Sequence, residues 1–543
     1  MARTPGHRCS LSTTGTLPSV ARVPDLRRSS PPSLLLSLRI PDLPCYNSNQ
    51  VANRLLIAFV ALTATAFAQD IKIISGPVDN QVLQRNADQT ADIQFSGTAV
   101  GKKANGKDIE ARITGPDTNA LPGLDWAPIG KIQKLKWGGE LKRVPVGGPY
   151  RLEVRMQGSE TVASVANLLV GDLWVLAGQS NMEGHGDLID VQPPSPLVHS
   201  FDMTDHWVIA EEPLHTVVNA VDPVHWPVND QKEPERLTGE RLDAYIASRK
   251  KGAGLGLPFA EEMLARTGIP VGLIPCAHGG TSMDQWSPSL KEQGGESLYG
   301  SMYRRVQAVG GRIRGVLWYQ GESDGTAKAA PIFLDKFEGF VKAVRTDLNQ
   351  AELPFYYVQI GRHIDKNNWT SWNAVQVAQL RAESEIPHAG MVASVDLQLD
   401  DGIHISTPDL KRLAMRVADR VCHDLFPRMK DYGELKSGPR PVAAIFENGI
   451  VKVTFSGVNG HLQSDGPISG FSIHDAKGEW QPMIYKSRVD PAEASSVLLY
   501  VQGRMPENAT LWYGYGKTPY CNVRDARDLA VPVFALQIGP VVR

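Results

Sequence analysis

Leu173-Trp174-Val175-Leu176-Ala177 runs directly into Gly178-Gln179-Ser180-Asn181-Met182. A continuous apolar run that ends at a Gly and meets a small polar residue reads as a strand buried on both faces, turning sharply into a helix. The same punctuation returns four times downstream. Val271 to Cys276, Val316 to Tyr319, Phe355 to Ile360 and Met391 to Val395 are apolar runs. Helical stretches lie between and after them: Pro258–Thr267, Tyr303–Val309, Pro331–Leu348, Ala374–Glu383 and Pro408–Leu425. Apolar strands alternating with helices predict an α/β domain built on a mostly parallel sheet. In such sheets, sites form in the loops at the carboxyl ends of the strands.

Outward from this core the pattern changes. Residues 69–168 carry short alternating runs, Asp70–Ile74, Ala91–Phe95 and Tyr150–Arg155, separated by Gly, Pro, Asn and Asp. Period-two alternation with turn residues predicts an N-terminal β module. The α/β domain is expected over 169–428, interrupted by a polar insertion, 183–251, rich in Pro, Asp and His and without a clear strand-helix unit. After a linker around Lys436–Pro441, alternation returns at Gly449–Phe455, Ser496–Val501 and Thr510–Tyr513, giving a second, C-terminal β module over 439–543. Both modules are expected to be sandwich-like.

The amino end has another character. Residues 1–50 are rich in Ser, Pro and Arg without periodicity, and read as disordered or as upstream sequence that is not part of the natural protein. Arg54 then precedes the apolar run Leu55–Ala68, which ends in Ala66-Phe67-Ala68. A basic flank, a short apolar core and a small-x-small ending make residues 51–68 a signal peptide, with a start codon near Val51. The expected destination is secreted or periplasmic. Cleavage after Ala68 removes seven Arg and two Asp, and the remaining chain is net acidic. Such a chain is not drawn to nucleic acid, and no membrane insertion is expected after cleavage.

Composition excludes other classes. The chain of 543 residues, 42% hydrophobic and 21% charged, is an ordinary globular protein of more than one domain. Cys276, Cys422 and Cys521 remain after cleavage, too few and too far apart for a disulfide scaffold or a zinc site; one bridge, Cys422 to Cys521, stays open. No H-E-x-x-H, paired C-x-x-C or EF-hand loop is present, so no metal is expected. Gly252-x-Gly254-x-Gly256 does not follow a strand, and there is no P-loop, so no cofactor is expected.

Four strand ends carry polar chemistry. Ser180 sits at a strand-to-helix turn, beside free N–H groups, where a nucleophile and the oxyanion it generates can both be served. Taken alone it reads equally well as a helix N-cap. Cys276-Ala277-His278-Gly279-Gly280 offers close backbone approach. Trp318-Tyr319-Gln320-Gly321-Glu322 offers an amide donor at Gln320. Asp400-Asp401-Gly402-Ile403-His404 places a carboxylate within reach of an imidazole, which Asp401, or its rival Asp400, could hold as a base. With 13 His in the chain, a lone D-x-x-H means little. Four such elements in order after four strands amount to an acyl-transfer site.

The set G-Q-S-N-M (178–182), H-G-G-T-S-M-D-Q-W (278–286), W-Y-Q-G-E-S-D (318–324) and D-G-I-H (401–404) resembles the SGNH hydrolases, and more narrowly their sialate O-acetylesterase and acetylxylan-esterase-like branch. Gly254–Ala260, Pro270–Pro275 and Trp512–Pro519 with Cys521–Val523 resemble that branch too. The resemblance implies a flavodoxin-like sheet, with Ser180 as nucleophile and Asp401 and His404 as the acid-base pair. It implies Ser180, Gly279 and Gln320 as oxyanion donors. Gln179, Asn181, Glu322 and Trp286, from the same motifs, are candidates for substrate binding. The expected reaction is removal of acetyl groups from sugar hydroxyls, with an acetylated carbohydrate as partner and Trp207 and Trp226 of the insertion as sugar platforms. An SGNH lipase or other esterase, or a non-catalytic carbohydrate-binding protein, are the competing readings. The signal-peptide reading predicts that N-terminal sequencing of the exported protein starts at or near Gln69; a mature protein that keeps residues 1–50 contradicts it.

Overall fold

The computed structural model describes residues 71–365, 369–430 and 432–540. The upstream segment 1–50 and the signal-peptide run 51–68 lie outside the described residues. Among the described residues no helix is long and apolar enough to cross a membrane.

Five parallel strands form the centre of the molecule. Side by side stand Val271–Pro275, Val162–Gly178, Gly315–Tyr319, Phe355–Gln359 and Ala389–Ala393. Numbered in chain order, their spatial order is 2-1-3-4-5. The four shorter ones are buried along their whole length, which is why they read as unbroken apolar runs. Gly256–Thr267 packs against Thr407–Leu425, and Phe333–Asp347 against Trp369–Glu385. Aromatic rings fill the layers between. Trp174 meets Phe259 edge-on at 5.1 Å, and Trp318 lies 4.6 Å from Phe340.

The insertion is less irregular than its composition suggests. Val198–Phe201 adds a sixth parallel strand beside Val271–Pro275, and Trp207–Ile209 pairs antiparallel with it at the sheet edge. Trp207 therefore packs on Phe201, with ring centroids 5.5 Å apart, and belongs to the core.

The central strand has two lives. The first half of Val162–Gly178 pairs antiparallel with Gly147–Met156 in the N-terminal module, and the second half is the middle of the parallel sheet. In the N-terminal module, Ile71–Ser75, Thr90–Ala99 and Lys136–Pro145 form a three-stranded sheet. A second apolar cluster, including Phe95, Trp137, Ile113 and Leu152, lies between it and the strands around Asp108–Thr114.

The C-terminal module is a β-rich half-barrel, where a sandwich was expected from the alternation: one eight-stranded sheet, beside which Leu462–Ser464 and Val523–Asp525 form a two-stranded sheet. Its last strand, Phe534–Pro540, pairs parallel with Arg440–Glu447 and antiparallel with Thr510–Tyr513. That strand joins two antiparallel ladders into a single sheet. Cys276, Cys422 and Cys521 are buried free thiols, so the Cys422–Cys521 bridge is not formed. The two belong to different apolar clusters, and burial pushes the Cys422 thiol up to about 11.

At the seam between the N-terminal module and the sheet, Arg85 holds Asp172 in a bidentate pair, at 2.8 and 2.9 Å. Both are almost fully buried. Removing Arg85 leaves the buried Asp172 carboxylate with only the Gln84 amide at 3.3 Å and the Arg314 guanidinium at 3.9 Å, so Arg85→Met is expected to cost about 3 kcal/mol of stability. Thermal and denaturant unfolding would read that loss, and a change under about 0.5 kcal/mol would mean that the pair does not tie the seam.

Candidate functional site

Gly178 ends the central strand at φ 131°, a backbone conformation that favours Gly. A Cβ there would stand 2.2 Å from the Tyr319 carbonyl oxygen of the neighbouring strand. The Gln179 N–H donates to that same carbonyl at 2.9 Å. Ser180 then opens the short helix Ser180–Glu183, and its own N–H has no partner among the described residues.

Ser180 Oγ lies 2.9 Å from His404 Nε2, and His404 Nδ1 lies 2.8 Å from Asp401 Oδ2. The other Asp401 oxygen accepts the Ile403 and His404 N–H groups, each at 2.9 Å, so the carboxylate shapes the loop that carries the histidine. Asp400 does something different: its carboxylate accepts the Asp187 N–H at 2.8 Å and the Thr407 N–H at 3.0 Å, at the start of the last helix of the α/β domain. The sequence left Asp400 and Asp401 as rivals; the geometry puts Asp401 on the imidazole.

The surroundings of this chain of three favour a neutral imidazole. Burial pushes the His404 ring below its ordinary range; Asp401 opposes that, while His185 and Lys251 add to it. Burial pushes the Asp401 carboxyl up, but His404, two backbone N–H groups and Lys251 outweigh it and hold it well below the usual carboxylate range. Lys251 Nζ is 3.0 Å from Asp401 Oδ2. His185 lies flat on His404, with centroids 4.5 Å apart. The result is a base that is free to accept a proton at neutral pH, aimed at a hydroxyl.

A cavity of about 420 Å³ opens over Ser180 and His404. Gln179, His185, Gly279, Glu322, His363, Trp372 and Lys517 are among the residues that line it. Lys517 comes from the C-terminal module; its ammonium pairs with Asp365 at 2.7 Å and lies 5.4 Å from the Trp372 ring centre.

The other sequence candidates divide. Gln179 and Glu322 reach the cavity wall. Burial pushes the Glu322 carboxyl up to about 7, and its Oε1 accepts from the Asn181 amide at 2.8 Å. Asn181 itself is buried and internally satisfied: its amide also meets the Ile403 carbonyl at 3.3 Å, and its Oδ1 accepts the Ile405 N–H at 3.0 Å. It ties the Ser180 turn to the His404 loop and is not placed to bind a substrate. Trp286 is 0% exposed and packs edge-on against Trp318, so it is core. Trp207 and Trp226 are not among the lining residues either; Trp226 donates to the Ala220 carbonyl at 2.8 Å.

The expected oxyanion donors also differ among themselves. Gln320 is 0% exposed, and its amide donates to Asp324 at 2.6 Å and to the Thr281 carbonyl at 3.1 Å. With both of its N–H groups engaged inside the protein, Gln320 braces the turn after its strand and offers no donor to the cavity. Gly279 does reach the wall, and its N–H donates to Glu183 Oε2 at 2.6 Å. Behind it the insertion supports the turn: His215 Nε2 accepts the Ala277 N–H at 3.2 Å, and His225 meets His278 at 3.2 Å.

Sequence reading missed His363, Trp372 and Lys517, and the stretch His185-Gly186-Asp187 reads from sequence as a solvated loop, whereas His185 lines the cavity. Only the segment Trp512–Pro519 carried a signal, as part of a family resemblance without a role for its lysine.

Comparison with known proteins agrees with the motif resemblance. Residues 170–423 match the family described as carbohydrate esterase, sialic acid-specific acetylesterase. A probable carbohydrate esterase of Arabidopsis thaliana is 29% identical over 274 residues, covering 45% of this chain and 88% of the relative. A solved carbohydrate acetylesterase from Xanthomonas citri aligns with a TM-score of 0.58 over 85% of this chain and 98% of its own, at 21% identity, which is a likeness of fold.

The electrostatics can be tested without a substrate. A fluorophosphonate labels an activated serine, so its rate at Ser180 should rise as His404 loses its proton, with a midpoint below the ordinary histidine value. Lys251→Met removes a cation that disfavours the imidazolium, and should move that midpoint to higher pH. A midpoint that falls or stays put would show that Lys251 does not act on His404.

Proposed function

We propose, on the premise that residues 170–423 form a carbohydrate esterase domain of the sialic acid-specific acetylesterase type, that this chain is a serine O-acetylesterase acting on sugar hydroxyls. The single observation that carries the reading is the continuous line Ser180 Oγ to His404 Nε2 at 2.9 Å and His404 Nδ1 to Asp401 at 2.8 Å. The 2-1-3-4-5 strand order supports a flavodoxin-like SGNH hydrolase fold, in which a ligand sits at the carboxyl ends of the strands.

In the proposed reaction His404 takes the Ser180 proton as Oγ attacks the acetyl carbonyl carbon. The oxyanion is received by the Ser180 N–H and the Gly279 N–H. As the tetrahedral centre collapses, the bond to the sugar oxygen breaks and His404 returns its proton to that oxygen. Water then attacks the acetyl-serine with His404 again as base; acetate leaves and Ser180 regains its proton. Asp401 holds the imidazole tautomer and stabilises the transient imidazolium.

Sialic acid-like substrates are favoured within this class by the family description and by the polar rim, where His363 and the Lys517–Asp365 pair can meet hydroxyls and a carboxylate. Export is part of the proposal, since acetylated glycans are presented outside the cytoplasm; its support is the run before Gln69.

Ser180→Ala and His404→Ala should each reduce hydrolysis of p-nitrophenyl acetate by about 10³-fold or more. Asp401→Asn should fall heavily as well, and Asp400→Asn much less. Acetate release from acetylated sialic acids, xylans and pectins, read beside p-nitrophenyl acetate and octanoate, tests the substrate class. Fast cleavage of octanoate with no acetate from any glycan would replace this reading with that of a lipase.

A further inference from the structure

The Gly279 N–H, which the proposed mechanism uses for the oxyanion, is already bonded to a carboxylate. Glu183 Oε2 accepts it at 2.6 Å. A Cβ built on Gly279 would lie 3.1 Å from that same oxygen, 3.5 Å from Ser180 Cβ and 3.7 Å from His185 Nε2. The carboxylate oxygen, the donor and the nucleophilic residue therefore share one small space. Glu183 is 8% exposed, and it stays below its ordinary range although burial pushes it up, because His185, His215 and His278 surround it. An anion thus stands where acyl transfer generates one.

We propose that Glu183 is an internal occupant of the oxyanion site: it holds the Gly279 N–H in the resting protein and yields it to the carbonyl oxygen of the substrate. The inference rests on the esterase reading above. The carboxylate has a nearby alternative partner, since Glu183 Oε1 is 3.6 Å from His185 Nε2. Exchanging Gly279 for the His185 ring leaves the carboxylate with a polar partner. It also sets a negative charge against the ring stacked on His404, at the moment when His404 becomes an imidazolium. Substrate entry and stabilisation of the base would then be one event. An acyl group has to displace a carboxylate beside Ser180, and a short one does so with least crowding, so Glu183 also acts on specificity for small acyl groups.

The test uses the full chain with Glu183→Ala and Glu183→Gln, and acetate as the probe. Acetate is measured as a competitive inhibitor of p-nitrophenyl acetate hydrolysis and, independently, by the thermal shift it induces. With the internal anion gone, acetate should bind at least about tenfold more tightly to Glu183→Ala, and KM for the ester should fall by more than kcat. Glu183→Gln keeps an acceptor for Gly279 but loses the charge; it should tighten acetate binding by a smaller factor, and it serves if the alanine variant does not fold. Unchanged acetate binding in both variants, with kcat lost about 10²-fold at constant KM, would overturn the inference and leave Glu183 as a brace of the 278–281 turn. A wild-type protein that hydrolyses no ester would sink the esterase reading instead, and the thermal shift would still report whether Glu183 vacates an anion site.

Discussion

At the end of the central strand the backbones of Gly178 and Tyr319 approach so closely that no side chain fits between them. That constraint fixes the rest of the site. The Gln179 N–H bonds back to Tyr319, the helix begins one residue later, and Ser180 faces a gap between strand ends where the loops of the neighbouring strands converge. Any larger residue at 178 would force apart the two strands whose registry aims the serine. The sheet thus acts as a jig: its strands are buried on both faces, and the polar groups of the site stand at their carboxyl ends.

Asn181 extends the constraint to the His404 loop. Its side chain touches Glu322 after one strand and both Ile403 and Ile405 around His404. The serine turn and the histidine loop, more than two hundred residues apart in the chain, are therefore joined through one buried amide that uses its donors and its acceptor. A residue one step from Ser180 thus acts by orientation, and it is not among the residues that line the cavity.

The sheet strands were legible because each is an unbroken apolar run with a turn residue at its end, and the helices because they fill the stretches between those runs. Val198–Phe201 was not, because His199 and Ser200 sit in its middle; both are buried, and His199 is satisfied by the Asn80 carbonyl at 2.6 Å, a partner on the distant N-terminal module. The convergence of Ser180, Asp401 and His404 followed from the strand-end rule combined with motif resemblance. The state of Gln320 did not, since its amide is used by Asp324, four residues on, and by a carbonyl of another loop. Hydrogen-bond ownership depends on the third dimension, and the residue type alone left Gln320 and Trp286 looking available. For the same reason Trp372 and Lys517 were invisible as cavity residues: one lies within a helix and the other in the module after the linker.

Lys517 also bears on inheritance. The loop that carries it is bound into the α/β domain by the Gly516 N–H to Asn373 bond at 2.8 Å, by Asn373 to the Gly514 carbonyl at 3.1 Å, and by Gln359 to Val533 at 2.8 Å. Part of the cavity wall therefore travels with a different stretch of the gene than the residues around Ser180 do. Recombination that exchanged the terminal module between two such proteins would transplant a piece of the cavity wall while leaving Ser180, Asp401 and His404 untouched. Diversification of what the cavity admits could then proceed by shuffling, without a single change in the parental strand ends.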